Sequence, residues 1–268
     1  MFRRSLLWGL GLFGIHAVRR TRRADLVSLI ESLRPLGGGV ELIRLGPDGD
    51  GGYLIPDDLD DIRHGFSPGV EGESGFEADL VTRGVQVHLA DASVDGPAQS
   101  NPDFVFTKKH VGTSSSSMMM TMDEWKRNSI GDYSGDLLLQ MDIEGAEFDV
   151  LLSLSPGLLS QFRIMVIEFH HLEQLWNGPW FSIVSDVFRK LLTTHSVVHI
   201  HPNNCCGSFA SQALEIPLVA EFTFYRNDRI RDGSFASRFP HPLDWNNTDK
   251  PTLRLPTCWY RSAEFGRG

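Results

Sequence analysis

Residues 137–147, LLLQMDIEGAE, decide the fold. Leu137, Leu138, Leu139 and Met141 form a mostly apolar run that stops abruptly at Asp142, Glu144 and Glu147. Near-continuous apolarity marks a strand covered on both faces, because successive side chains then point into packed layers on opposite sides. Acids at the carboxyl end of such a strand stand at the rim of a parallel sheet, where open α/β folds bind ligands.

Similar units flank this strand. Apolar runs at 62–66, 85–90, 104–106, 164–169 and 197–200 read as strands, and the stretches 76–83, 122–128, 144–152 and 179–192 read as helices between them. Strands alternating with helices predict right-handed crossovers and a doubly wound α/β sheet. Ile216–Tyr225 reads as one long closing strand with no helix before it, which predicts an antiparallel hairpin with 197–200. Ahead of the alternation, a helical period over 24–36 ends at Pro35 and the glycines 37–39, and short strands at 40–45 and 53–55 bracket the loop 46–52. The Ser- and Met-rich patch 114–120 reads as a loop.

The 268 residues, 41% hydrophobic and 22% charged, suit one globular domain over 24–268. Before it, an apolar stretch Leu6–Val18 lies between Arg3, Arg4 and Arg19, Arg20, Arg22, Arg23. It falls short of the roughly 20 residues that span a bilayer. Residues 1–23 therefore read as an Arg-flanked helix, with peripheral contact to a membrane or partner as one role and a plain helical extension as the other. A net charge of −9 gives no electrostatic footprint for nucleic acid. Adjacent Cys205 and Cys206, with Cys258 as the odd third, argue against a secreted disulfide framework and predict a cytoplasmic chain.

The turn after the strand at 62–66 carries Gly65, Ser67, Gly69, Gly72 and Gly75 before a helix, a place where a ligand approaches the backbone. Asp91 ends the next strand about two dozen residues on, where an acid accepts hydrogen bonds from ribose hydroxyls. Asp142, Glu168, His170, His199 and His201 end three further strands, with Asn203 and Asn204 following. Converging in one crevice, such groups can deprotonate a hydroxyl or hold a divalent ion. Glu147 equally suits the first turn of a helix, where negative charge is favoured. The loop Asp48-Gly-Asp-Gly-Gly52 resembles a metal-binding DxD, but Gly52 and Leu59 stand where a calcium loop needs acids.

At this point a family resemblance emerges. Asp142-Ile-Glu-Gly-Ala-Glu147 resembles the D-x-E-G-x-E signature of FkbM-type methyltransferases. Asp50-Gly-Gly-Tyr53, the turn 66–75, Thr121-Met-Asp-Glu-Trp125, Val166-Ile-Glu-Phe-His170 and His199-Ile-His-Pro-Asn-Asn204 fit the same branch. The resemblance implies a Rossmann-like class I methyltransferase fold, with a seven-stranded, mostly parallel sheet whose last strand is antiparallel. It also implies S-adenosylmethionine as cofactor and O-methylation of a hydroxyl on a sugar or small metabolite. On that basis Gly65, Ser67 and Gly69 meet the methionine part, Asp91 the ribose, and Asp142 both sulfonium and acceptor. Ser67-Pro-Gly-Val-Glu-Gly departs from the D-x-G-A-x-x-G turn of many relatives.

Asp142 then positions the acceptor while His170 or His201 takes its proton. A metal-assisted version places Mg²⁺ on Asp142, Glu168 and Asn203. Two other functions compete: a nucleotide-sugar glycosyltransferase using Asp48 and Asp50, and a non-catalytic nucleoside-binding module.

Overall fold

A computed structural model describes residues 18–37, 39–70 and 72–261. The first helix, α1 (Arg23–Ser32), buries Leu26, Leu29 and Ile30, and is followed by a hairpin of β1 (Leu42–Leu45) and β2 (Tyr53–Pro56). The alternating region then runs β3 (His64–Pro68), α2 (Gly75–Thr82), β4 (Gln86–Ala90) and β5 (Phe104–Thr107). Short β6 (His110–Val111) and β7 (Met119–Met120) pair with each other, so the patch expected as a loop ends in a strand. Next come α3 (Met122–Ile130), β8 (Leu137–Met141), α4 (Glu147–Ser153), α5 (Pro156–Gln161) and β9 (Phe162–Phe169). The chain continues through α6 (Gly178–Leu192), β10 (His195–Pro202), β11 (Ser208–Ser211), β12 (Leu214–Pro217) and β13 (Ala220–Arg226).

Seven strands form the central sheet in the order β10-β13-β9-β8-β3-β4-β5. Neighbours from β9 through β5 are parallel, while β13 is antiparallel to both β9 and β10. This is the seven-stranded, mostly parallel sheet expected from the sequence, with its closing strand antiparallel. Both faces are covered, which explains why β8 is apolar almost throughout. Leu137, Leu139 and Met141 join the core that holds α1, α4 and α6, whereas Leu138 joins the one beneath α2 and the β1–β2 hairpin.

Local sequence sets the ends of the elements. Thr121 caps α3, its Oγ1 accepting from the Glu124 amide at 3.1 Å, and Glu124 is the N3 acid typical of a capping box. In α6, Pro179 occupies the first turn and Val184, Val187, Phe188 and Leu191 are buried at helical spacing.

Two expected elements differ. The stretch 216–225 is not one strand: β12 turns back on β11, and only β13 enters the sheet. Pro217 at the end of β12 has no N–H to continue a ladder, which breaks the apolar run into two strands. The helix expected over 144–152 starts instead at Glu147, because Glu144 (φ 55°) and Gly145 (φ 103°) are left-handed. Cys205 and Cys206 are bonded to each other in the turn after β10. Most of the Arg-flanked apolar segment lies outside the described residues. Among the described residues no helix is long and apolar enough to cross a membrane.

Candidate active site

The carboxyl ends of β4, β3 and β8 are joined by a chain of hydrogen bonds. The Gly69 amide donates to Ala90 O at 3.1 Å, and the Asp142 amide donates to Pro68 O at 3.4 Å. Asp91 holds the same turn from the other side: its Oδ2 accepts from the Val70 amide at 3.0 Å, and its Oδ1 accepts from the Ser93 amide and hydroxyl at 2.6 and 2.7 Å. Burial would raise the Asp91 pKa, but the bonds from Ser93 and Val70 outweigh it and keep the carboxyl below its ordinary value. Asp91 and Asp142 therefore flank one edge, with Gly69 and Val70 between them. Beyond this turn, Ser74 Oγ is buried with no hydrogen-bond partner, next to the start of α2.

The expected cofactor residues separate here. Gly69 belongs to the turn, with φ at 90°. Gly65 lies inside β3, where a Cβ would contact Val85, Leu80 and Leu138 at 3.4–3.9 Å; it lets the helix layer pack and does not face the crevice. Ser67 is buried, its Oγ 2.6 Å from Glu77 Oε1 and 2.7 Å from Gln140 Oε1. One hydroxyl proton cannot serve both acceptors at once, and burial raises the Glu77 pKa above its ordinary value. Ser67 thus offers the crevice its backbone and not its hydroxyl.

A second group gathers at the ends of β8 and β9. Glu147 is fully buried, and its Oε1 accepts from the Ile143 amide at 3.2 Å, the Gly145 amide at 3.0 Å and His170 Nδ1 at 3.0 Å. The left-handed Glu144-Gly145 turn aims those amides at the carboxylate. A carboxylate only accepts, so Nδ1 carries the proton and Nε2 is turned outward. Nε2 lies 3.5 Å from Glu144 Oε2, 3.6 Å from Glu168 Oε1 and 3.9 Å from Asp142 Oδ1. Burial, together with Glu144, Glu147 and Asp50 and against the pull of His170, pushes the Asp142 carboxyl up to about 7. Burial and then Asp142 and Glu221 raise Glu168 well above the carboxylate range. For His170, burial opposes charge, but Glu147, Asp142 and Glu144 raise its pKa.

His201 stands apart from this group. In the register of the sheet, His201 pairs with Glu221, which pairs with Glu168, so β13 lies between the two histidines' strands. His201 Nδ1 is 3.6 Å from Asp244 Oδ1, beyond a hydrogen bond, while His199 Nε2 bonds the same oxygen at 2.8 Å. Asn247 Nδ2 donates to Glu221 Oε1 at 2.8 Å and to Asp50 Oδ1 at 3.1 Å, tying the β1–β2 loop and the C-terminal segment over the sheet. Asp48 points away to Arg44 at 3.8 Å and is largely exposed, so the DxD acids diverge. Nor does the expected Mg²⁺ set assemble. Asn203 donates from Nδ2 to Glu168 Oε1 at 3.1 Å, and its Oδ1 accepts from the Cys205 amide at 2.9 Å. Its oxygen is engaged by the local turn.

The residue that sequence reading placed in a helix turn, Glu147, is the one on which His170 rests. The available signal was the Glu144-Gly145 pair, a turn that folds a following acid back onto its own amides.

Residues 74–200, just under half of the chain, match the family profile described as the methyltransferase FkbM domain. No curated protein matches the chain. Among solved structures, a mutant 16S rRNA (adenine(1408)-N(1))-methyltransferase from Catenulisporales acidiphilia aligns with a TM-score of 0.30 and 11% identity, over 69% of this chain and 98% of that one. The N-methyltransferase NodS from Bradyrhizobium japonicum WM9 aligns with a TM-score of 0.32 and 8% identity, over 62% and 86%. TrmN from Thermus thermophilus gives 0.30 and 8%, over 61% and 44%.

Proposed function

We propose that this protein transfers a methyl group from S-adenosylmethionine to a hydroxyl on a sugar or another small metabolite. The observation that carries the reading is the shared edge. The turn at Gly69–Val70, anchored by Asp91, opens directly beside the Asp142–His170 crevice. S-adenosylmethionine fits these residues. Asp91 retains lone pairs for ribose hydroxyls, the backbone around Gly69 permits close approach, and the orphaned hydroxyl of Ser74 borders the same turn. When bound, the cofactor supplies an electrophilic methyl on a sulfonium.

The chain's own groups have two tasks: to align the acceptor with the methyl and to make loss of its proton easy. Asp142, with its Oδ1 buried and without a partner, is placed to accept a hydrogen bond from the acceptor. Loss of the proton falls to the crevice formed by Asp142, Glu168 and His170, in preference to His201 across the intervening strand. These groups are chiefly hydrogen-bond acceptors, which suits a hydroxyl donor and disfavours a phosphate or a polynucleotide. The diverging Asp48 and Asp50 give a nucleotide-sugar reading no metal pair.

Isothermal titration tests this reading. S-adenosylhomocysteine should bind with one-to-one stoichiometry and UDP should not; absent binding of S-adenosylhomocysteine to folded protein removes it.

A further inference from the structure

Charge is distributed unevenly along the chain. Residues 1–23 hold six arginines and no acid, so against a net charge of −9 overall the remaining residues carry −15. This basic segment enters the described structure at Val18 and meets the body at the rim where the crevice opens. Arg19 O accepts from the Gly178 amide at 2.8 Å, the Thr21 amide donates to Trp176 O at 2.9 Å, and Thr21 Oγ1 donates to Leu175 O at 2.7 Å. Only residues 171–177 separate this attachment from His170. Arg20 lies 4.1 Å from the centre of the Trp176 ring and donates to Ser211 Oγ. Arg23 Nε donates to Gln212 O at 2.9 Å, so the β11–β12 hairpin is held at the same corner.

Between α1 and α6 runs an open groove whose lining includes Arg19, Arg20, Arg22 and Arg189, with Ser28 and Ser182. Among the described residues its acids are Asp25 and Asp186, and each faces an arginine: Asp25 accepts from Arg22 at 2.7 Å and Asp186 from Arg189 at 2.6 Å. The surplus charge of the groove is therefore positive, on a protein that is otherwise strongly acidic. Apolar side chains stand exposed beside it. Val18 is 54% exposed, and Phe209, which shares a face of β11 with the Ser211 that Arg20 contacts, is 44% exposed. A groove of guanidinium and hydroxyl groups gives the apolar stretch Leu6–Val18 no surface to bury against, and that stretch is too short to span a bilayer. Arginines beside exposed apolar groups match the two layers of one partner, anionic headgroups over acyl chains.

We propose that this corner, Val18–Arg22 with Arg189 and Phe209, docks on a membrane surface rich in anionic phospholipid, and that Leu6–Val18 enters the boundary between headgroups and acyl chains. The arginines face the headgroup phosphates, while Val18 and Phe209 add apolar area at the same edge. The docking is independent of the methyl-transfer reading, since none of these residues belongs to the crevice of Asp91, Asp142 and His170.

The test sediments the full chain with vesicles of phosphatidylcholine alone and of phosphatidylcholine mixed with phosphatidylserine. Binding to the mixed vesicles should be at least about tenfold tighter and should weaken as salt is raised. Arg19→Gln combined with Arg22→Gln should lower the partition coefficient about 25-fold, about fivefold for each arginine removed. Leu10→Asp combined with Phe13→Asp should lower it at least about tenfold. Arg63→Gln, an exposed arginine just ahead of β3 at the opposite end of the sheet, should bind as the parent does. Circular dichroism confirms that each variant is folded. No binding by the folded parent, equal binding to both kinds of vesicle, or an unchanged partition coefficient in the Arg19/Arg22 variant overturns the docking. Unchanged binding in the Leu10/Phe13 variant also overturns it, and a lower melting temperature there would show the segment packed on the protein itself. S-adenosylhomocysteine is titrated into the same samples. Vesicle binding without cofactor binding upholds the docking and rejects methyl transfer, whereas the reverse rejects the docking alone.

Discussion

A Cβ added to Gly69 would lie 1.5 Å from the carbonyl oxygen of Asp142. No side-chain adjustment relieves a clash with backbone, and φ at 90° adds strain for any other residue. The close approach is what brings the Gly69–Val70 turn against the acidic rim. Gly69→Ala should therefore push the ends of β3 and β8 apart, lowering S-adenosylhomocysteine affinity at least about tenfold and destabilising the fold by several kcal/mol. Titration calorimetry and thermal melting measure both. Parental affinity in the variant would show that the turn does not touch the cofactor.

Asp91 does two jobs that one substitution can separate. It braces the turn through the Val70 and Ser93 amides, and in the proposed function it accepts from the ribose. Asp91→Asn keeps a carbonyl for one brace but loses charge and acceptor capacity. Expected is a fall in S-adenosylhomocysteine affinity of about 1.5–3 kcal/mol, the worth of hydrogen bonds to a charged group. The melting temperature should fall less than in Asp91→Ala, which loses both braces. Equal affinity in Asn variant and parent would leave Asp91 a turn residue only.

The parts of this fold that were legible in the chain share a physical cause. Leu137–Met141 had to be apolar because both faces of β8 are covered, and Asp142 had to follow because the covering ends there. The β11–β12 hairpin was hidden because residues 214–225 are apolar on both sides of Pro217, and the break depends on one missing N–H. Glu147 was hidden for another reason. Its role is created by a left-handed turn and by a histidine 23 positions away, neither of which helical periodicity encodes. Gly65 and Ser67 lay in the right motif, yet strand alternation turned one into packing and the other into an internal hydrogen bond.

At the opposite end of the sheet, Arg163 is nearly buried and bridges Asp136 at 2.7 Å and Asp58 at 3.2 Å, while also donating to the Asp58 and Asp60 carbonyls. Arg163→Ala leaves those acceptors without their shared donor. Breaking a buried pair from one side costs about 3–5 kcal/mol, and urea unfolding should show a loss of that order. Cofactor binding should survive at low denaturant, because Arg163 begins β9 and the crevice is at its far end. A loss under about 1 kcal/mol would mean that Arg226 and Arg229, which also contact these acids, carry the network without it.

His195 gives the protein an acid-sensitive core. It is fully buried at the start of β10, its Nε2 2.7 Å from Phe162 O, and burial lowers its pKa from the ordinary 6.5 to about 4. The carbonyl only accepts, so Nε2 holds the proton of the neutral ring and Nδ1 faces Thr194 Oγ1 at 2.8 Å. A histidine whose folded pKa lies below its unfolded value stabilises fully above the unfolded value. That stability is lost as pH falls toward the folded value, because the unfolded chain takes up the proton first. His88, stacked on Phe66 and also lowered to about 4, acts in the same direction. Stability should accordingly decline between pH 6.5 and pH 4. His195→Gln, which can still donate to the carbonyl but cannot ionise, should flatten part of that decline while costing some stability at pH 7.5. Urea melts of parent and variant across this range provide the measurement. Parallel pH curves would show that His195 is protonated at the same pH whether the chain is folded or unfolded.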